Sequence, residues 1–241
     1  MHVATTPPRL SLTSHVRACE CDGQVILLDL RRGRYLGIGG PTSAALSQFV
    51  QGWPIIAAHK DSTATPAGIR DVTQRFVSQG LMTGNAVRRP LDATIAIAST
   101  SLDFEDLSAD VDIGARRIAH FLKSAALTAW RLRFCSLHAI ALAVAARRER
   151  NDRALSGSLA AMENVSIAYE RLRPFVFTSR QKCLYDSLTL IEFLAAEQLF
   201  PHWVVGVKTG PFGAHSWVQC GTTVLNDQHE YVRRFRPILV A

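Results

Sequence analysis

Three residues towards the end of the chain, Cys183, His215 and Asp227, are of the types from which a thioester-forming site is built. A cysteine becomes a strong nucleophile when its thiolate is stabilised, and both a helix N-terminus and a neighbouring imidazolium do this. Cys183 heads a run in which Leu184, Leu188, Ile191, Ala195 and Leu199 recur at helical spacing, so it is expected in the first turn of an amphipathic helix. His215 would supply the imidazolium, and a carboxylate beside it would hold its tautomer and its charge.

Asp227 is the natural carboxylate because of the turn between it and His215. The runs 215–219 and 223–227 flank Cys220-Gly221-Thr222, with glycine available for positive φ, so an antiparallel hairpin is expected. A hairpin centred on Gly221 sets Gln219 opposite Thr223, Trp217 opposite Leu225 and His215 opposite Asp227, with opposed Cβ atoms about 5 Å apart. Asn226 then points to the other face, and a one-residue slip would present it to the imidazole in place of Asp227. On residue types alone, Cys183 also reads as a small buried hydrophobe and His215 as a satisfied strand histidine.

Several elements must position these groups. The runs 16–20, 25–30 and 34–38, separated by Asp22-Gly23 and by Arg31-Arg32-Gly33, predict a three-stranded meander. Helical spacing follows Pro41 through Ala45, Leu46, Phe49 and Val50 until Gly52. It returns at Ile69, Val72, Phe76 and Val77, with Gly80 as the C-cap. Residues 91–112 show no sustained period and read as a linker or an irregular crossing segment that holds the domain boundary. The stretch 113–150 predicts two helices breaking near residues 134–136, the first burying Ile118, Phe121, Leu122, Ala125 and Ala129. A further helix is expected near 157–171, and residues 203–207 read as a strand.

The chain has 241 residues, enough for two domains, and its 48% apolar and 20% charged residues are those of a packed protein rather than a disordered one. No apolar signal segment stands among residues 1–16, and the greasiest run, 137–146, is about half a membrane span. Five scattered cysteines suit a reducing, cytoplasmic setting. Cys19 and Cys21 lack a second pair at zinc-site spacing, so no metal is expected. The net charge of +7 favours acidic partners without choosing among them.

Three segments together carry a family resemblance: Gln181-Lys-Cys-Leu-Tyr-Asp-Ser-Leu-Thr-Leu190, Gly206-Val-Lys-Thr-Gly-Pro-Phe-Gly-Ala-His-Ser-Trp217 and Val224-Leu-Asn-Asp227. They resemble the leader peptidases of lasso-peptide biosynthesis, whose peptidase half is transglutaminase-like. One departure is Asp186, where a basic residue is expected in many relatives. The segment Ile26-Leu-Leu-Asp-Leu-Arg-Arg-Gly-Arg-Tyr-Leu-Gly-Ile38 is similar to the winged-helix leader-recognition element related to the pyrroloquinoline-quinone chaperone.

The resemblance implies an α+β fold of two domains. Residues 1–90 would form a small winged-helix-like recognition domain of three strands plus helices. Residues 91–241 would form a transglutaminase- or papain-like cysteine peptidase domain, helical over 113–171. It implies a Cys183-His215-Asp227 triad, with oxyanion donors from the Cys183 backbone N–H and the Gln181 side chain. A leader peptide would add as a strand along Arg34, Tyr35, Leu36 and Ile38, against a helix presenting Val72, Arg75, Phe76 and Gln79. The implied partners are the precursor peptide and an asparagine-synthetase-like macrolactam cyclase. ATP would be the cyclase's requirement, since this chain carries neither a P-loop nor a dinucleotide fingerprint and needs no cofactor. Neither nucleic acid nor a stable membrane anchor is expected. Two other classes stay open: a different acyl-transfer enzyme on the same scaffold, and a non-catalytic peptide- or DNA-binding protein using the basic surface.

Overall fold

Short apolar runs and tight turns build the first part of the chain, while helix-forming runs dominate the second. The computed structural model describes residues 10–55, 66–85, 87, 94–102, 111, 113–151, 159–176 and 182–241, and divides into two units, Met1–Pro90 and Leu91–Ala241.

In the first unit β1 (Leu10–Leu12) precedes a meander of β2 (Val16–Cys21), β3 (Gln24–Asp29) and β4 (Arg34–Ile38). Asp22 and Gly23, at φ 49° and 78°, form the two-residue turn that joins β2 to β3 with Cys21 opposite Gln24. Positive φ at both central residues matches the right-handed twist of the strands. Between β3 and β4, the Asp29 carboxylate accepts the backbone N–H groups of Arg31 and Arg32. Among the described residues β4 pairs with β3 and is an outer strand of this sheet.

Helix α1 (Gly40–Leu46) ends earlier than its apolar spacing suggests, because Val50 and Gln51 leave it to form β5 (Val50–Gln51), parallel to β1. Helix α2 (Pro66–Ser78) closes with Gly80 at φ 73°, Gly80 N–H on Val77 O and Leu81 N–H on Phe76 O. This is the two-bond left-handed cap that glycine favours. The chain then pairs β6 (Met82–Thr83) antiparallel to β1. Leu12, Val16, Val25, Leu27, Leu46 and Trp53 form the core beneath.

The second unit begins with a difference from expectation. Residues 100–101, inside the segment read as a linker, form β7 (Thr100–Ser101) at the edge of a five-stranded sheet, and Ala98 beside it is buried. Helices α3 (Ala115–Phe134) and α4 (Leu137–Arg150) break at the residues expected, with Ser136 capping α4 by accepting Ala139 N–H. The buried face of α3, however, is Phe121, Ser124, Ala125 and Thr128, while Ile118, Leu122 and Ala129 are exposed. The sequence offers two apolar stripes on this helix, and packing selects the one carrying Phe121.

Helix α5 (Leu159–Leu172) runs into a 3-10 turn over Arg173–Phe175, and α6 (Cys183–Ala196) follows. Helix α6 is not amphipathic: residues 186–194 are all buried, and Leu199 lies beyond its end. A helix covered on every side belongs to the centre of a domain. Phe121 of α3 meets Tyr169 of α5 at 5.7 Å and Phe193 of α6 at 6.1 Å, both edge-on. The buried Glu192 of α6 is paired with Arg131 of α3 and with Arg147 of α4. That pairing offsets the cost of a carboxylate in this position.

The sheet comprises β8 (His202–Thr209), β9 (Phe212–Cys220), β10 (Thr223–Val224) and β11 (Arg236–Val240) in the order β11-β8-β9-β10-β7, with α7 (His229–Val232) between β10 and β11. Neither β11 nor α7 was expected from the sequence. In β11, Pro237 interrupts regular pairing and a register shift follows it, which masks the strand pattern.

Gly206 of β8 lies directly opposite His215. A Cβ there would stand 2.8 Å from the Trp217 ring and 2.9 Å from Phe235 Cβ. Both are buried and close-packed, so neither yields cheaply. Gly206→Ala should therefore destabilise the protein by about 1–3 kcal/mol, read from chemical denaturation.

Candidate active site

Buried polar groups bind the helix carrying Cys183 to the strand carrying His215. Ser187, one turn after Cys183 on α6, meets Ser216 of β9 with their hydroxyls 2.7 Å apart. The indole N–H of Trp203 on β8 donates to both, at 3.1 Å to Ser187 and 2.7 Å to Ser216. Ser216 also donates to Val204 O at 3.2 Å. All three side chains are buried, so these bonds replace water that is no longer there. None of the three was expected to join the helix to the strand, although a serine amid the apolar positions of a buried helix is the available signal.

The expected hairpin register is corrected. Cys220 pairs with Thr223 and Gln219 with Val224, so the turn holds two residues, Gly221 and Thr222, and not three. Gly221 takes the positive φ of 57°. Pairing then stops: β10 ends at Val224, not at Asp227, and the last ladder-like bond is Leu225 N–H to Val218 O at 2.9 Å. Asp227 thus reaches His215 from an irregular segment rather than across a ladder. The slip did not substitute Asn226 for it, because strand alternation no longer governs residues 225–227.

With β10 gone, the edge of β9 is taken over by side chains. Val218 N–H donates to Asn226 Oδ1 at 2.8 Å. The next N–H on that edge, from Ser216, faces the sulfur of Cys183 and helps hold its thiol down. Asn226 Nδ2 donates to Asp186 Oδ2 at 3.1 Å, so Asn226 faces α6 and not the imidazole.

His215 Nε2 lies 2.6 Å from Asp227 Oδ2. That contact leaves Nδ1 to meet the Cys183 thiol, the ring's other hydrogen-bond partner. Asp227 Oδ1 accepts Gln228 N–H at 2.8 Å, which fixes the carboxylate's rotation. Around the imidazole stand Tyr231 edge-on at 5.1 Å, Phe235 at 5.2 Å and Trp217 stacked at 6.2 Å.

Charge follows from this geometry. Burial pushes the Cys183 thiol up, but the hydrogen bond and charge of His215, with N–H groups from Ser216 and Leu184, outweigh it and hold the thiol below its usual range. Burial likewise opposes a charged His215, yet hydrogen bonds to Asp227 and Cys183 and the charges of both push it up to about 9. Both shifts favour the thiolate–imidazolium form of the pair. By contrast, burial raises Cys220, the Arg148 charge only partly opposing it.

Gln181 lies outside the described residues. The first turn of α6 leaves its leading N–H groups outside the intrahelical ladder, which starts with Asp186 N–H on Lys182 O at 2.9 Å. The Cys183 N–H is one of these leading groups. Asp186 is buried against Tyr169, Arg173 and Asn226 rather than offered to a ligand.

In the first unit Arg34 is exposed, Tyr35 and Leu36 are half-buried and Ile38 is buried. Val72 and Phe76 pack partly on the core. Arg75 is exposed and paired with Asp71 at 2.8 Å, and Gln79 is exposed.

Iodoacetamide should alkylate Cys183 well before Cys220 at neutral pH, as mass mapping of the modified chain would show. Alkylation needs only thiolate, so its rate should rise through the lowered Cys183 value and not fall above pH 9. Any acyl transfer that also needs the imidazolium proton should decline as pH passes about 9. Asp227→Asn should move that decline down towards the ordinary histidine range.

Residues 125–240 match the family described as Transglutaminase-like superfamily. Among curated proteins, the microcin J25-processing protein McjB of Escherichia coli is 42% identical over 48 residues. That stretch covers 20% of this chain and 23% of McjB, so the chain spans about a quarter of the relative it matches. No solved structure matches. The chain is a mixed α/β protein whose residues 125–240, from within α3 through β11, are similar to that family.

Proposed function

We propose that this protein is a cysteine peptidase that removes the leader from a ribosomally made lasso-peptide precursor. The observation that carries the reading is the placement of Cys183 at the head of a buried helix beside His215, whose other ring nitrogen lies 2.6 Å from Asp227. The transglutaminase-like match over the same residues and the similarity to a microcin-processing protein support it.

The Cys183 thiolate attacks the carbonyl of the last leader residue. The imidazolium of His215 protonates the departing amine, which is the α-amine of the core peptide, and a thioester remains on Cys183. The neutral imidazole then takes a proton from water, which hydrolyses the thioester and restores the pair. Asp227 keeps Nε2 occupied, so Nδ1 is the atom that moves the proton. The Cys183 N–H and the Gln181 side chain are the proposed donors to the oxyanion.

Residues 1–90 are the proposed leader-recognition element, of the winged-helix type related to the pyrroloquinoline-quinone chaperone. Support comes from β4, an outer strand of its sheet among the described residues, the kind of position an extended peptide can join. Arg34, Tyr35, Leu36 and Ile38 lie on that strand, while Val72, Arg75, Phe76 and Gln79 lie on α2 of the same unit. One chain carrying both functions raises the local concentration of the scissile bond. The freed amine is the substrate an ATP-dependent, asparagine-synthetase-like cyclase needs, which makes that enzyme the proposed partner.

Purified full-length protein and a synthetic precursor peptide test this by mass spectrometry. Cys183→Ala should abolish cleavage while leaving leader affinity intact, whereas Cys135→Ala and Cys220→Ala should retain cleavage. Asp227→Asn should lower the cleavage rate about 10²–10⁴-fold, by analogy with aspartates that orient a triad imidazole. Arg34→Glu with Tyr35→Ala should weaken leader binding without slowing iodoacetamide at Cys183. Persistent cleavage by the Cys183→Ala protein would overturn the assignment.

A further inference from the structure

The carboxylate that orients His215 sits on a segment with no strand partner, so something else must hold it. Backbone pairing between β9 and β10 ends at Val224, and the Leu225 N–H bond to Val218 O is the last of its kind. Asp227 is two residues further on. A carboxylate on an unsupported loop would sample many positions, and a displacement of about 1 Å is enough to weaken a catalytic hydrogen bond seriously.

Asn226 supplies the missing support. Its Oδ1 accepts Val218 N–H at 2.8 Å, occupying the place of the next ladder carbonyl. Its Nδ2 donates to Asp186 Oδ2 at 3.1 Å. Asp186 lies one turn after Cys183 on α6 and is only 9% exposed. Its other carboxylate oxygen accepts the Tyr169 hydroxyl at 2.9 Å, and that hydroxyl also reaches Asp186 O at 2.9 Å. Arg173 stands 3.5 Å from the same oxygen and is tied to Glu170 at 3.0 Å. A buried carboxylate held by the donors of Tyr169, Arg173 and Asn226 is rigid, and it offers one oxygen to one loop residue.

We infer that Asp186 is a positioning residue, which through Asn226 fixes the Asp227 loop to the helix that carries Cys183. The first and third members of the site are thus held to a common frame without touching each other. This inference rests on the reading of Cys183, His215 and Asp227 as the reacting set.

The sign of one measurement separates positioning from simple charge. Asp186 is an acidic residue one turn along α6 from Cys183, so by electrostatics alone its removal could only favour the thiolate and shift the Cys183 titration down. Loss of positioning acts the other way: a loosened Asp227 supports the imidazolium less, and the thiolate with it.

The test is the pH dependence of iodoacetamide alkylation at Cys183 in the full chain, followed by mass spectrometry, for the unaltered protein, Asp186→Ala, Asn226→Ala and the double variant. Each single variant should move the rising limb upward by about one pH unit, a roughly tenfold slower reaction at a pH below that limb. The double variant should be no worse than either single one, because both remove the same link. Tyr169→Phe, which removes another bond of Asp186 and keeps Asn226's, should leave the limb in place. An Asp186→Ala limb that stays put or moves down, or additive effects in the double variant, would overturn the inference. If Asp186→Ala does not fold by circular dichroism, Asn226→Ala decides alone: an unmoved limb refutes the link. Should Cys183 not be the fast-reacting thiol in the unaltered protein, the reading of the site fails first, and that outcome is distinct.

Discussion

Everything about the candidate site depends on one buried contact, the hydroxyl pair of Ser187 and Ser216 with the Trp203 indole on both. Most of the buried surface of α6, such as Leu188, Leu190 and Ile191, is apolar, and apolar surfaces slide. Three polar groups without water must find one another, and leaving any one unpaired would cost about 1–3 kcal/mol. Only one axial and rotational setting of the helix satisfies them together. Ser187 is one turn from Cys183 and Ser216 adjoins His215, so that setting also brings thiol to imidazole.

The second constraint is the early end of β10. A hairpin continued to Asp227 would have closed the edge of β9 with backbone, leaving no N–H for other partners. Because it stops, Val218 N–H goes to Asn226 and Ser216 N–H faces the sulfur. The strand edge becomes part of the thiolate's solvation shell. It joins the Leu184 N–H at the head of α6, where unpaired amides already favour negative charge. A short strand therefore does chemical service that a longer one would have prevented.

The aromatic cluster completes the electrostatics. Tyr231, Phe235 and Trp217 surround the imidazole and displace water from it. In such surroundings an isolated imidazolium would lose its proton. Two anionic partners, Asp227 at Nε2 and the thiolate at the other nitrogen, reverse that outcome and push His215 up to about 9. Gly206, by lacking a side chain, is what allows Trp217 and Phe235 to close so tightly opposite His215.

Much of this was legible in the residues themselves. The position of Cys183 at a helix start follows from the apolar spacing after it, and the Asp22-Gly23 turn and the Gly80 cap follow from φ preferences that are local to a few residues. The nearness of Asp227 to His215 was also foreseen, though through a ladder that does not extend so far. What the residues alone left undecided is whatever depends on neighbours distant in the chain. Which stripe of α3 is buried, that α6 is covered on all sides, that residues 100–101 pair with β10, and that Pro237 sits inside a strand are all settled by packing against segments far away in sequence. The hairpin register belongs with these. Two-residue and three-residue turns about Gly221 are both compatible with the local sequence. The choice between them falls to the tertiary contacts of Asn226 with Val218 and Asp186, side-chain bonds that no periodicity announces.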